Sequence, residues 1–580
     1  CLCVALLALT VGAAAAAQPF EVPLTVQESA GVARTAEPIS GGVPLPKGRF
    51  PKDQPFALAG ADGNGVPCQV TPLVVEADGT LRWVLLDFQD DVAAVATNRY
   101  VLKAAEPAAK PPARLKVEET NAAVAVDTGA VRFTISCTEP FGLFDSVQAE
   151  GKTVVSGSAV TYTQLHGRSG WNDKSPWKER HLTAGSPGRV EVVYAGPMRV
   201  TVEAEGTFAD DPLGAGYRAS ITAWAGSSRV YVRYSLCNSS PDRRTAILVK
   251  RSAIHLDLAD AGPKTLIGAA EPLEVAGRAA ALHQGLRHDR PDGKVPAARA
   301  VAGNETPWTG GTADNLPAGW MAAGRPAVAV CDRLFATNPA RRLAADGKRL
   351  TLEGIAERFD GTPDDRGRGR SQPWQADAFW LYDCSHHSSE YLFDFAPPAD
   401  PAACDAVAKA ARNRLWALAP GAYYSDCEVL GTGPFGTRAD EMAVYRKWGW
   451  SWDEKQVPHD ADPHPGAFVA WEDNHYESEA DSVQALLLQY LRTGERGWFD
   501  RAEAWARYHT DLQAWRTDGW QWKDGGIWFP QGGPQGNRRV REDWNFAWGP
   551  DWGDRKGNPD CHDLWRHSQA KSCYCHFYGS

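Results

Sequence analysis

Between residues 115 and 396 the sequence passes through one short alternating segment after another, and no stretch in that span carries the spacing of an amphipathic helix. AVAVDTGAVRFTIS (123–136) reads as a hairpin about Asp127-Thr128-Gly129, and RVEVVYAGPMRVTVEAEGTF, YRASITAW and SSRVYVRYSL supply four further runs. Each such strand has one apolar face to cover. With no crossover helices to do it, the strands must cover one another, and the expected fold is a large β-sandwich.

The flanks differ from this centre. Residues 18–103 are also all-β but shorter, punctuated by Gly41-Gly42, Pro44, Pro46, Asp62-Gly63 and Asp78-Gly79. Asp78-Gly79 separates Pro72–Val75 from Leu81–Leu86, which is a hairpin signal, and the segment reads as a small β-barrel. Residues 104–114, AAEPAAKPPAR, have the composition of a semi-rigid linker. From 397 to 580 helical signals take over. Asp400-Pro401 is an N-cap with proline in the first turn, followed by the stripe Cys404, Val407, Ala408, Ala411 and Leu415. A second helix is expected from Thr437, carrying Met442, Tyr445 and Trp448. A helical hairpin follows over 480–512. Ala480, Val483, Leu486, Leu487 and Tyr490 form its first face, Gly494 its turn, and Phe499, Ala502, Trp505, Ala506 and His509 its second face. Hairpins of this kind are the units of an α/α toroid, expected here to be incomplete at the C-terminus.

The formal charge of −10 offers no basic field for nucleic acid, so an anionic ligand must be met by local cations. Arg366, Arg368 and Arg370, and Arg538, Arg539 and Arg541, are such groups. Residues 1–17 are an apolar run ending in small residues, which reads as a clipped secretory signal and predicts a secreted or periplasmic protein. No other segment approaches a membrane span. Of the 12 cysteines two lie in that signal, and the rest are too widely spread for a disulfide scaffold. The 23 Trp exceed ordinary usage, and the flat apolar face of Trp suits sugar rings, although most of these residues are expected in the core.

SAGVARTAEPISGGVPLPKG (29–48), GVPCQVTPL (65–73) and DGTLRWVLLDF (78–88) resemble the N-terminal RIFT-barrel domain of the PcRGLX/YetA-like family, which includes exo-acting rhamnogalacturonan lyases. The central and C-terminal parts are similar to the β-sandwich and α/α toroid of that family. So are the run from Asn474 through Arg492–Glu495 to Asp511 and the closing His576-Phe577-Tyr578-Gly579. His475 departs from the pattern, which leads one to expect an acidic residue there. The resemblance implies a polysaccharide lyase acting by β-elimination on galacturonate-containing glycans.

Such a lyase removes the weakly acidic C5 proton of a uronate. It needs donors or a cation at the carboxylate, a base, and an acid for the leaving oxygen. His562, His576, His475, Tyr476 and Tyr578 are the expected proton-transfer residues, and Asn474, Arg566, Trp544, Arg538 and Arg539 the expected substrate contacts. The site is expected where the 474–477 mouth meets the loop 560–578. His509, on an apolar helix face, is expected to be a core residue. Cys573-x-Cys575 fits no common zinc pattern, so no transition metal is expected, while the acidic loop Asp460–Gly466 leaves calcium as the one possible cofactor. The alternatives are a glycoside hydrolase using carboxylates among Glu472, Asp473, Glu477 and Asp543, and a non-catalytic glycan-binding protein. The sequence has no G-x-S-x-G, Walker A loop, dinucleotide fingerprint or H-E-x-x-H.

Overall fold

The computed structural model describes residues 20–111, 115–167, 175–239, 245–277, 279–284, 298–310, 317–325, 327–335, 340–357, 374–375, 378–381, 386–429, 435, 482–508, 514–515, 526–527 and 539–540. The expected signal at 1–17 therefore lies outside the described residues.

The N-terminal domain consists of two four-stranded sheets. Glu21–Gln27, Thr97–Lys103, Ala57–Gly60 and Gly65–Val66 form one, in that order. Leu415–Trp416, Arg34–Pro44, Leu81–Val92 and Cys68–Val75 form the other. Alternation places Val22, Leu24 and Val26 on one inner face, where they meet Ile39, Val43, Val84, Leu86 and Phe88 from the opposite sheet. The Asp78-Gly79 hairpin is present, with Gly79 at φ +83° and the Asp78 carboxylate accepting from the Thr80 N–H. The two sheets share a core but do not close into a ring, which corrects the expectation of a continuous barrel.

One of those strands comes from far along the chain. Leu415–Trp416 runs parallel to Arg34–Pro44, pairing Ile39 with Leu415 and Ser40 with Trp416. Gly41 permits this approach, because a Cβ there would lie 2.5 Å from the Ala417 carbonyl oxygen. Leu415, expected on a helix face, is thus in a strand. The first helix ends before it at Asn413, and the sheet edge takes up the chain.

The central region is a two-layered sandwich. Its front sheet runs Glu305–Gly310, Ala298–Ala302, Ala280–Gln284, Arg341–Asp346, Arg349–Ile355, Thr245–Leu258, Lys152–His166. Its back sheet runs Arg199–Phe208, Ala215–Trp224, Arg229–Asn238, His386–Asp394, Val328–Asp332, Trp320–Ala323. Lys178–Ala195 joins them, pairing with Lys152–His166 in the front and Arg199–Phe208 in the back. Val160, Ile254, Leu282, Leu343 and Leu352 of the front sheet pack into one core with Val200, Ile221, Val232, Val330 and Phe393 of the back sheet. The alternating runs expected over 189–236 are among these strands, and the hairpin expected at 123–136 is formed by Ala123–Asp127 and Val131–Ser136.

Helices cover the back sheet, and His386–Asp394 is consequently buried on both faces. Helix α1 (Pro401–Arg412) starts at the expected cap, with Asp400 accepting from the N–H groups of Ala402 and Ala403. Cys404, Ala408 and Ala411 then pack on Trp320, Cys331 and Leu392. Helix α2 (Gly421–Asp426) contributes Tyr424 to the core of the N-terminal domain. Helices α3 (Ser482–Thr493) and α4 (Arg496–Tyr508) form the expected hairpin, with Gly494 at φ +72° between them. Leu486, Tyr490 and Ala502 are buried, and the Tyr490 and Phe499 rings lie 5.3 Å apart. Leu487, placed by spacing on the apolar face, lies at its margin and is 36% exposed. An α/α toroid is not supported. Among the described residues there are four helices, one pair of which is a hairpin, while α1 and α2 serve the sandwich and the N-terminal domain. The helix expected from Thr437, and His509, lie outside the described residues.

Candidate functional site

Most of the residues expected to form the site, Asn474, His475, Tyr476, Arg538, Trp544, His562, Arg566, His576 and Tyr578, lie outside the described residues. So do the loop 460–466 and the carboxylates Glu472, Asp473, Glu477 and Asp543. Arg539 is described through its backbone alone, which pairs in parallel with Thr245. Among the described residues there is no group of His, Cys, Asp and Glu suited to a metal ion.

A different constellation emerges on the outer face of the front sheet. Residues directly opposite in antiparallel register point to the same side. The register pairs Thr309 with Arg299, Arg299 with His283, His283 with Arg342, and Arg342 with Glu353. The neighbours of these residues along each strand, Leu282, Ala300, Leu343 and Leu352, are in the core, so the row itself faces away from it. Arg299, His283 and Arg342 therefore stand side by side across three strands, a span of about 10 Å at ordinary strand spacing.

The chemistry of the row is unequal. His283 is half-buried and makes no hydrogen bond among the described residues. Burial first, and then the positive charges of Arg342 and Arg299, push its imidazolium pKa down to about 3. At neutral pH it is an uncharged imidazole with an available lone pair between two guanidinium groups. Arg342 donates through Nη1 to Glu353 Oε1 at 2.8 Å, while its Nε is buried with no partner among the described residues. His255, on the same face, is satisfied instead: Nδ1 lies 3.0 Å from Thr351 Oγ1, and Nε2 lies 3.0 Å from Thr161 Oγ1.

A second charged cluster lies on the back sheet beneath α4. Glu390 accepts from Arg333 at 2.9 Å and from Arg507 at 2.5 Å, with Arg414 at 3.7 Å. Glu503 of α4 accepts from Arg333 at 2.8 Å and from Arg507 at 2.9 Å. Burial alone would raise both carboxylates, but the guanidinium groups prevail. Glu390 is held well below the usual range, and Glu503 is lowered to about 2. Behind them Arg341 and Asp332, both fully buried, pair at 2.5 Å. These groups tie a helix to a sheet.

Sequence reading did not single out His283, Arg299, Arg342 or Glu353. The only signal was alternation in AALHQ, ARAVA, RRLAAD and RLTLEGI, which turns each of the four outward without saying that the strands are neighbours.

The architecture is that of a β-protein with a RIFT-type domain ahead of a sandwich. Residues 28–102 match the PcRGLX-like N-terminal RIFT barrel domain family. No curated protein matches the sequence. Among solved structures, a glycosyl hydrolase family 38 protein from Enterococcus faecalis is similar at 10% identity and a TM-score of 0.40, over 68% of this chain and 47% of that one. An alpha-mannosidase from Enterococcus faecalis V583 is similar at 10% identity and a TM-score of 0.38, over 68% and 46%. A galactose mutarotase-like protein from Lactobacillus casei covers 48% of this chain and 99% of its own, at 10% identity and a TM-score of 0.25. The chain thus spans about half the length of the first two.

Proposed function

We propose that this chain is an exported polysaccharide lyase that cleaves galacturonate-containing glycans of the rhamnogalacturonan type by β-elimination. The observation that supports the reading is His283, uncharged and without a hydrogen bond among the described residues, held between Arg299 and Arg342. The two cations would bind the uronate carboxylate and stabilise the charge that grows on it as the C5–H bond breaks. His283 would take the C5 proton once the bound carboxylate offsets the two guanidinium charges that hold its basicity down. The electron pair forms the C4–C5 double bond, the C4–O bond breaks, and the leaving oxygen receives a proton from an acid. Tyr476, Tyr578, His475, His562 and His576 are proposed as the source of that acid. Asn474, Arg566, Trp544, Arg538 and Arg539 are proposed as further substrate contacts.

The test is to incubate the full chain with rhamnogalacturonan or polygalacturonate and follow the ultraviolet absorbance of an unsaturated uronate together with reducing ends. Both should rise together. Reducing ends without absorbance would make the protein a hydrolase, and retention on an immobilised glycan with no product would make it a binding protein.

A further inference from the structure

We propose that Glu353 is the positioning residue of the front-sheet row, holding the Arg342 guanidinium beside His283 through their 2.8 Å ion pair. The Glu353 side chain is 3% exposed, and Arg342 has no other ion pair among the described residues. A second cation, Arg251, approaches Glu353 at 3.7 Å from the opposite side. Arg251 has its own partner in Glu357 at 2.6 Å, and Glu357 also faces Lys250 at 3.5 Å. Glu353 thus faces two cations, and Arg342 is the nearer and the one that hydrogen-bonds to it, at 2.8 Å against 3.7 Å.

The consequence is geometric. An arginine side chain is long and flexible, and a single buried carboxylate is what limits its rotamers here. Glu353 accepts from Nη1 at one end of the guanidinium and so fixes where the group stands in the row, while the buried Nε has no partner among the described residues. Without Glu353, Arg342 keeps its charge but loses its place. A carboxylate ligand would then meet a cation in the wrong position, whereas a ligand lacking that charge would hardly notice.

The inference rests on the uronate reading for its ligand, and its test separates the two. Glu353→Gln, Glu353→Asp, Arg342→Gln and the double variant Glu353→Gln/Arg342→Gln are compared with wild type. The readouts are calorimetric affinity and, where turnover occurs, kcat/KM, each on an oligogalacturonide and on its methyl ester, with thermal unfolding alongside. Glu353→Gln should weaken the acid form by about tenfold to a hundredfold, the scale of one charged hydrogen bond, and the ester by less than about threefold. Glu353→Asp should recover part of the loss and keeps the test open if the Gln variant folds poorly. The double variant should be no worse than Arg342→Gln. Equal losses on acid and ester, or additive losses in the double variant, overturn the assignment. A wild type that binds the acid but releases no unsaturated product sinks the lyase reading alone and leaves the affinities to judge Glu353. A wild type that binds neither form sinks both.

Discussion

The two outer faces of the sandwich use the same residue types to opposite ends. On the back sheet Glu390 and Glu503 lie among Arg333, Arg414 and Arg507, and each carboxylate is bonded to at least two guanidinium groups or has them close by. On the front sheet Arg299 and Arg342 flank an imidazole, and the carboxylate of Glu353 pairs with Arg342 at the end of the row. Where cations and anions enclose one another, the charges are spent on holding α4 to the sheet. Where cations flank a neutral base that makes no hydrogen bond among the described residues, the row suits an anionic group that is not part of the chain.

The largest effect that can break this contrast is on stability. Glu390→Ala leaves three guanidinium groups around a buried gap and is expected to cost about 3–5 kcal/mol in urea unfolding, as for other buried pairs that lose one partner. His283→Ala should leave stability nearly unchanged and lower turnover on polygalacturonate by about a hundredfold or more, the usual contribution of a general base. If instead it unfolds the protein while Glu390→Ala does not, the roles assigned to the two faces are reversed.

Acid sharpens the comparison further. A depressed carboxylate contributes stability above its unfolded pKa of about 4.3 and loses it as the pH falls through the folded value. For Glu503 that places the loosening of α4 between about 4.3 and about 2, visible as helical circular dichroism lost over that interval. For His283 the neutral form is the active one, so kcat/KM should stay level below the ordinary histidine pKa of about 6.5 and fall only toward about 3. An acid limb near 6.5 that persists in His283→Ala assigns the base elsewhere. The smallest effect is local: Asp400→Ala removes the cap of α1 and should cost about 1 kcal/mol, measured by thermal unfolding.

Local chemistry was legible in the sequence. Asp78-Gly79, Asp400-Pro401 and Gly494 each act through their own backbone preferences, and each stands where spacing placed it. The strands of the sandwich were legible for the same reason, since alternation needs no knowledge of the partner. Partners were not legible. His283, Arg299, Arg342 and Glu353 come together through pairings between separate strands, and nothing in a strand names its neighbour. Leu415 misled for a related reason: its spacing continues the stripe of α1, but the free edge at Ile39 competes for it and wins.

That edge has a cost in time. The chain is synthesised from its N-terminus, and Leu415 follows Lys103, the last residue of the early strands, by 312 positions. At common translation speeds roughly 15–60 s pass before the final strand of the first domain exists. During that interval Arg34–Pro44 presents unpaired N–H and C=O groups to whatever is nearby. The nascent first domain is therefore a waiting template, and its last strand arrives only after both layers of the sandwich, through His386–Asp394, have been made.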